Sequence, residues 1–390
     1  MLVKPNRKLR IFLAGGGTGG HIFPLIAVLR ELKEKAQKEG VPLEIIYFGP
    51  KDFTFNYILK EKIIAHPIIS GKLRRELNPL NLLDFLKLIL GIAQSFFYFY
   101  YYMPDAVLIK GGYGSLPIAF WSSFLFIPLF IHESDAVPGL VNLIFKKRAK
   151  KIFLSFESAL SYFPKEKAIV CGNPVRNELL NLPEKETTKK MLKIADRPVL
   201  TVIGGSQGAV SLNDLILDCL DRLLEKVEVI HQTGDNNFSK VQKEAEIVFK
   251  EIIKNQEKEK YYHLVPFFEE KGSPDFSSFR DVLAVTDLVV SRAGSGLIFE
   301  ISACGLPSIL IPYPYASKDH QRKNAYEYFK TGACLVLEEE NLKPNIFTDL
   351  VFQIIFDEKR KKEMREKALS FSKPEAGKII AETILNSIRI

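Results

Sequence analysis

SRAGSGLIFEISACGLPSILIPYPYASKDHQRKNA, residues 291–325, alternates apolar runs, small-residue turns and helical stretches in one order. The apolar run Asp287-Leu288-Val289-Val290 ahead of it predicts a strand, and Ala293-Gly294-Ser295-Gly296 a tight turn of small residues. A helix follows with Glu300 in its first turns. Gly305-Leu306-Pro307 stops that helix, and Ser308 to Ile311 reads as a second buried strand ending at Pro312. A polar loop then delivers His320, Gln321 and Asn324 to the start of another helix. This strand–turn–helix–strand–loop–helix unit belongs to an open α/β sheet, where ligands bind at the carboxyl ends of strands. A carboxylate beside the unpaired N–H groups of a helix start suits a ribose next to a phosphate. The same residues also read as a helix-capping Glu and a surface His-Gln pair.

The length of 390 residues predicts two or three domains at roughly 100–200 residues each. A hydrophobic fraction of 47% and a charged fraction of 26% are those of a soluble globular chain. Cys171, Cys219, Cys304 and Cys334 are scattered without a CxxC pair, which argues against a disulfide framework or a zinc site and fits a reducing cytosol. Ile11 to Ala14 is too short an apolar run for a signal-peptide core. Charge is unevenly placed: residues 1–177 hold 24 Lys/Arg against 13 Asp/Glu, a net +11, and the rest 30 against 33, a net −3. A basic half implies an anionic partner, a membrane surface or a nucleic acid. No nucleic-acid-binding signature accompanies it, so an anionic membrane surface is the expected partner.

From the N-terminus, Lys8 to Ala14 predicts a strand, Ala14 to Pro24 (AGGGTGGHIFP) a glycine loop, and a helix runs to about Glu39. Gly15, Gly17 and Gly20 satisfy GxGxxG. A dinucleotide site also needs an acid closing the second strand, and Leu43 to Phe48 ends instead in Gly49-Pro50. The glycines still let a bulky polar ligand approach the backbone, with His21 aimed toward it. Ser70 to Arg75 is a basic loop. In the apolar stretch Leu77 to Met103, Asn81, Asp84, Lys87, Gly91 and Gln94 would form one narrow polar stripe of a helix. Its uncharged part, Leu88 to Pro104, is slightly short of the ~20 residues of a membrane span. A single span would also separate the first glycine loop from everything after Pro104. A buried core helix and a membrane-surface helix both remain open. Glycine loops and strand ends recur at Gly111 to Ser115 and His132 to Asp135, followed by the basic cluster Lys146-Lys147-Arg148 and Lys150-Lys151.

Residues 178–198 are Lys/Glu-rich and read as a linker. Pro198 to Ile203, then Gly204-Gly205-Ser206-Gln207-Gly208, then a helix, repeats the opening of the chain. Two such openings predict an α/β fold of two Rossmann-like domains facing across a cleft. The first covers 1–177, the second 199–370, and a last helix spans 371–390. Ser206 and the glycines at a helix start make a natural phosphate seat.

Seven landmarks occur in one order: GGGTGGH at Gly15 to His21, GGYGS at Gly111 to Ser115, HESD at His132 to Asp135, GNPVR at Gly172 to Arg176, GGSQGA at Gly204 to Ala209, SRAGSGLIFE at Ser291 to Glu300, and DHQRKNA at Asp319 to Ala325. In this pattern the chain resembles, from Ile11 to about Leu337, the MurG-type N-acetylglucosaminyltransferases of peptidoglycan synthesis in glycosyltransferase family 28. The resemblance implies a GT-B fold, the last helix crossing back to the first domain. It implies transfer of N-acetylglucosamine from UDP-GlcNAc to lipid I, a muramyl-pentapeptide on a pyrophosphoryl polyprenol, giving lipid II. It further implies donor-binding positions at Thr18, Gly19, Gly20, Asp135, Arg176, Ser206, Phe268, Ser295, Gly296, Leu297, Ile298, Phe299, Glu300 and Gln321. Glu300 would take the ribose hydroxyls, and the Phe268 backbone the uracil. Ser206 and Arg176 would approach the diphosphate, and His320 with Gln321 the sugar. The family usually has Asn where this chain has Asp135, Gln at Ser134, and often Thr at Leu297. An insert near Gly272 to Phe279 lies beside Phe268.

Inverting transfer needs a base for the acceptor hydroxyl and stabilisation of the departing diphosphate. His21, whose ordinary pKa is near 6.5, is the candidate base, with a loop-orienting histidine as the plainer reading. Glu133 is the second candidate. The chain has no Asp-x-Asp pair, so helix dipoles and Arg176 rather than a metal are expected to meet the diphosphate charge, and no cofactor is expected. The expected protein is a peripheral enzyme on the cytoplasmic face of the membrane. A related lipid glycosyltransferase and a non-catalytic membrane scaffold are the alternatives.

Overall fold

The computed structural model describes residues 8–388 apart from 18, 72–79, 206–207, 270–275 and 277. Thr18, Ser206, Lys72, Arg74, Arg75 and most of the insert beside Phe268 therefore lie outside the described residues. The chain divides into two compact units. One runs to Arg176 and is completed from Lys373 onward; the other is Asn177–Ser372.

The first unit is a parallel sheet of β1 (Leu9–Ala14), β2 (Leu43–Gly49), β3 (Ile64–Pro67), β4 (Ala106–Ile109), β5 (Leu129–Glu133), β6 (Lys151–Leu154) and β7 (Ala168–Val170). Its order is β3-β2-β1-β4-β5-β6-β7, so the winding reverses between β1 and β4. Helices α1 (Gly19–Lys38), α2 (Phe53–Lys60), α3 (Leu80–Tyr102), α4 (Leu116–Phe124) and α5 (Leu140–Phe145) connect the strands. In β1, Ile11 and Leu13 join one core, while Phe12 and Ala14 join the core on the other side. Burial on both faces explains why the strands read as unbroken apolar runs.

The second unit repeats the plan. After α6 (Lys185–Leu192) come β8 (Val199–Ile203), α7 (Val210–Lys226), β9 (Glu228–Gln232), α8 (Phe238–Ile247), β10 (Tyr262–Val265), α9 (Phe279–Val285) and β11 (Leu288–Ser291). There follow α10 (Ser295–Ala303), β12 (Ser308–Leu310), α11 (His320–Phe329), β13 (Cys334–Val336), α12 (Pro344–Ile355) and α13 (Glu358–Phe371). The sheet order is β10-β9-β8-β11-β12-β13, all parallel, with its reversal between β8 and β11.

Two boundaries differ from the sequence reading. The stretch read as a linker folds into the second unit: Glu184 caps α6 through the N–H groups of Glu186 and Thr187, and Lys185 pairs with Asp287. Its Lys/Glu content masks a narrow apolar edge at Thr188, Leu192 and Ile194, all buried. The last helix is α14 (Ala376–Ile388), while Phe371 closes α13. Pro374 explains the break, because the residue before a proline disfavours helical geometry. Ile380, Ala381, Ile384 and Leu385 of α14 enter the core that α1 lines with Ile22, Leu25 and Leu29, so the C-terminal helix completes the first unit.

Helix α3 turns its polar stripe inward. Gln94 accepts from the Ile69 N–H (2.9 Å) and donates to the Pro67 carbonyl (3.0 Å). Gly91 is buried against segment 67–71, where a Cβ would fall 1.9 Å from the Ile69 carbonyl oxygen. Only a glycine allows so close an approach. Lys87 alone of the described stripe is exposed. The apolar residues face out: Leu82, Leu86, Leu90 and Phe97 at helical spacing, with Tyr100 and Tyr101 at 78% and 74% exposure. Leu82–Tyr102 is long and apolar enough to cross a membrane by length and composition. Most of it is exposed rather than packed, which sets aside the core-helix reading.

Candidate functional site

Strands that all run parallel end at the same sheet edge, and the glycine loops sit there at the two reversal points. In the first unit, the loop after β1 is pinned from below. Tyr47 donates its hydroxyl to the Gly15 carbonyl (2.8 Å). Gly16 and Gly17 adopt φ of +117° and +98°, a region closed to most side chains. Gly19 and Gly20 then open α1, and His21 lies in its first turn. The His21 Nδ1 is 3.2 Å from the Gly16 carbonyl oxygen, and its ring lies against Gly112, from the loop after β4. A carbonyl can only accept, so Nδ1 carries the proton and Nε2 the basic lone pair.

Glu133, at the end of β5, is 3% exposed. Its carboxylate accepts from the backbone N–H groups of Asp135 (3.1 Å) and Gly139 (2.9 Å) and from Asn142 Nδ2 (2.8 Å). That arrangement makes it the organiser of the turn 134–139. Burial, followed by repulsion from Asp135, pushes its carboxyl up to about 7 against the pull of those hydrogen bonds. Arg176 is buried, its guanidinium 4.7 Å from the centre of the Phe23 ring of α1.

Lys110 is a residue that the sequence reading missed. It closes β4 directly before Gly111-Gly112, is 2% exposed, and donates to Asn173 Oδ1 (3.3 Å). Burial pushes its ammonium down to about 7, while Asp135 and then Glu133 pull the other way. The field of Asp135 thus supports a buried cation beneath the glycine loop. A lone charge between an apolar strand and a glycine pair was the available signal.

In the second unit, the loop after β8 is held by Gln232, whose side-chain amide donates to the Gly205 carbonyl (3.0 Å) and accepts from the Gly205 N–H (3.2 Å). The loop after β11 leads into α10. Ser295 to Glu300 are its first six residues, so Glu300 stands in the second turn and no acid occupies the first. Glu300 thus lies within the first turns that the sequence predicts, one turn past the helix start at Ser295. Glu300 is 8% exposed. The loop after β12 brings in Gln321, whose Oε1 accepts from the Tyr313 N–H (3.0 Å), and His320, whose Nδ1 faces the Ser317 carbonyl (2.8 Å). Asn324 donates to the Ala293 carbonyl (3.4 Å), tying α11 to the turn before α10. Phe268 follows β10 and is buried against Phe279, ring centres 5.5 Å apart. Helices α7 and α10 start from Ala209 and Gly294, residues with no side chain able to cap them. Their first N–H groups suit an anion.

Two doubly wound parallel units, each with a glycine loop at its reversal point, define a two-domain Rossmann-like class of protein. Residues 11–154 match the glycosyltransferase family 28 N-terminal domain, and residues 199–380 the family's C-terminal domain. The chain belongs to glycosyltransferase family 28, and it is a glycosyltransferase. It is 30% identical over 370 residues to the UDP-N-acetylglucosamine–N-acetylmuramyl-(pentapeptide) pyrophosphoryl-undecaprenol N-acetylglucosamine transferase of Bacillus subtilis, covering 94% of this chain and 96% of that one. The enzyme of the same name from Geobacter metallireducens is 32% identical over 394 residues, covering 98% and 99%. Among solved structures, Acinetobacter baumannii MurG superposes with a TM-score of 0.71 at 23% identity, covering 97% of this chain and all of that one. A UDP-GlcNAc 2-epimerase from Neisseria meningitidis reaches 0.63 at 14% identity, covering 97% and 100%. These two likenesses show the fold.

Glu133 gives a pH-dependent prediction. A carboxyl with a higher pKa folded than unfolded holds its proton more tightly in the native state. Its contribution to stability is therefore present at low pH and is lost as pH rises from about 4.5 to about 7. Hydrogen exchange of the first unit across that window should show the parent losing stability relative to Glu133→Gln. A constant difference between the two would exclude the buried, proton-binding carboxyl.

Proposed function

We propose that this enzyme transfers N-acetylglucosamine from UDP-GlcNAc to lipid I, forming lipid II. The observation that carries the reading is near-full-length similarity, at 30–32% identity, to enzymes named for this reaction. The second unit takes the donor. Glu300 accepts from the ribose hydroxyls, the Phe268 backbone meets the uracil, and Gln321 with His320 meets the sugar. The segment Ser295 to Glu300 carries the nucleotide, with Ser206 at the phosphate seat. The starts of α7 and α10, together with Arg176, offset the charge that develops on the departing diphosphate. The first unit takes the acceptor, and its Thr18, Gly19, Gly20 and Asp135 contribute to donor binding.

His21 is the base. Its Nε2 removes the acceptor hydroxyl proton as the oxygen forms a bond to the anomeric carbon. The bond to the diphosphate breaks and UDP leaves, so the anomeric configuration inverts. Glu133 fits this role poorly because three N–H donors hold its buried carboxylate.

The acceptor's polyprenol cannot leave a bilayer, so the enzyme comes to the membrane from the cytoplasmic face. Support comes from the outward apolar face of α3, continued by Phe124 at the end of α4 and Phe126 beyond it, and from the basic residues Lys146, Lys147, Arg148, Lys150 and Lys151. Aromatic rings suit the headgroup boundary, and each basic residue near an anionic surface contributes about 1 kcal/mol.

Purified lipid I and diacylglycerol, offered side by side with labelled UDP-GlcNAc, test the reading: label should enter lipid I alone. In the same assay His21→Ala should lower turnover by about 10²–10⁴-fold, the range of a general base, with donor affinity little changed. Turnover within a few-fold of the parent would remove the base role.

Glu300→Ala should weaken UDP binding by about 1.5–3 kcal/mol, the range for hydrogen bonds to charged groups. Calorimetry on the folded variant reads this directly, and unchanged affinity would reject the ribose role.

Binding to anionic vesicles should fall with salt and should exceed binding to neutral vesicles. Placing glutamate at Phe97 and Tyr101 should reduce it and spare turnover of a short-chain, water-soluble acceptor. Vesicle binding indifferent to salt and to both substitutions would set the membrane face aside.

A further inference from the structure

Arg292 lies between β11 and the turn into α10 and is 8% exposed. Its backbone N–H donates to the Ile203 carbonyl at the end of β8 (3.4 Å). Its Nη2 donates to Ser211 Oγ (2.9 Å), in the first turn of α7. Its Nη1 donates to the Ile311 carbonyl (3.2 Å), just beyond β12, and to the carboxylate of Glu339, beyond β13. The guanidinium also lies 5.4 Å from the centre of the Tyr313 ring. Tyr313 in turn donates its backbone N–H to Gln321 (3.0 Å). One buried side chain, set just after β11, thus touches the segments that leave three other strands of the second sheet, β8, β12 and β13.

We infer that Arg292 is a positioning residue that holds the loop carrying Tyr313, His320 and Gln321 in register with the phosphate seat before α7, and so sets the grip on the donor's sugar. The inference rests on the donor reading of the second unit. The chemistry of the side chain favours it. A guanidinium offers a rigid planar fork of donors and a flat face for stacking, whereas a lysine offers one compact ammonium. Ser211, Glu339, the Ile311 carbonyl and the Tyr313 ring lie in different directions, so the fork can serve them together. The uridine end of the site is reached by Glu300 on α10 and Phe268 after β10, neither of which is a partner of the Arg292 side chain. Loosening Arg292 therefore loosens the sugar side while leaving the uridine side in place.

Calorimetry with two probes separates this from a general structural role. Arg292→Met should weaken UDP-GlcNAc binding by about tenfold or more, the effect of losing one charge-assisted hydrogen bond, while UMP affinity stays within about twofold. The KM for UDP-GlcNAc should rise and the KM for the lipid acceptor should hold. Arg292→Lys should fall between parent and Met. Ser211→Ala, which removes only the Nη2 link, should weaken UDP-GlcNAc by about threefold with UMP unchanged, and it carries the test if Arg292→Met does not fold. UDP-GlcNAc affinity within twofold of the parent in these folded variants would overturn the inference. So would equal losses for both probes, which is the signature of a residue that only holds the domain together. A parent protein that binds UMP but not UDP-GlcNAc would refute the donor reading and this inference with it.

Discussion

A charge carried inside an α/β unit finds its partners at the edges of the sheet, where the strands end and the loops begin, because the strand faces are largely apolar on both sides. Stranding an ion there without a partner costs several kcal/mol. Each unit sets a buried basic side chain directly after a strand at the carboxyl edge. Lys110 follows β4 and has Asn173 and the fields of Asp135 and Glu133. Arg292 follows β11 and has Ser211, Glu339 and a strand-end carbonyl. Their partners come from loops that are far apart in sequence. Satisfying the charge and fixing those loops is therefore one event.

The glycine loops depend on the same arrangement. A loop with positive φ values and no bulky side chains is poorly defined by its own sequence. Neighbours fix it here: Tyr47 beneath Gly15, and Gln232 across Gly205. The helix starts behind these loops then present N–H groups in a set direction, which is what an anionic ligand recognises. His21 gains its tautomer in the same way, from the Gly16 carbonyl. Asp135, where the family usually has Asn, makes electrostatic sense beside a buried lysine.

Helix α3 shows a different balance. Leaving its Leu, Phe and Tyr side chains in water forgoes roughly 1.5–3 kcal/mol for each one that a core would bury. The helix docks nonetheless, through Gly91 against a strand-end segment, through Gln94 as a surrogate backbone pair, and through the Trp121 indole donating to the Ile92 carbonyl (2.6 Å). Its apolar side chains are mostly exposed, and its polar side serves the contact with the protein.

The alternation of strands and helices, the two glycine-loop openings and the placing of His21, Glu300 and Gln321 near helix starts are legible along the chain alone. These are local properties: apolar runs with turn residues at fixed offsets can be read along the chain. The sequence left α3 ambiguous, because composition states how apolar a helix is and not which side meets the protein. It took 178–198 for a linker, because the buried Thr188, Leu192 and Ile194 of a charged stretch matter only once α9 is there to receive them. It passed over Lys110 and Arg292, because a buried cation and an exposed one are the same letter. Only the tertiary structure decided those, through burial and through partners that lie up to about a hundred residues away, where the cost of an unmatched charge selects one arrangement of the loops.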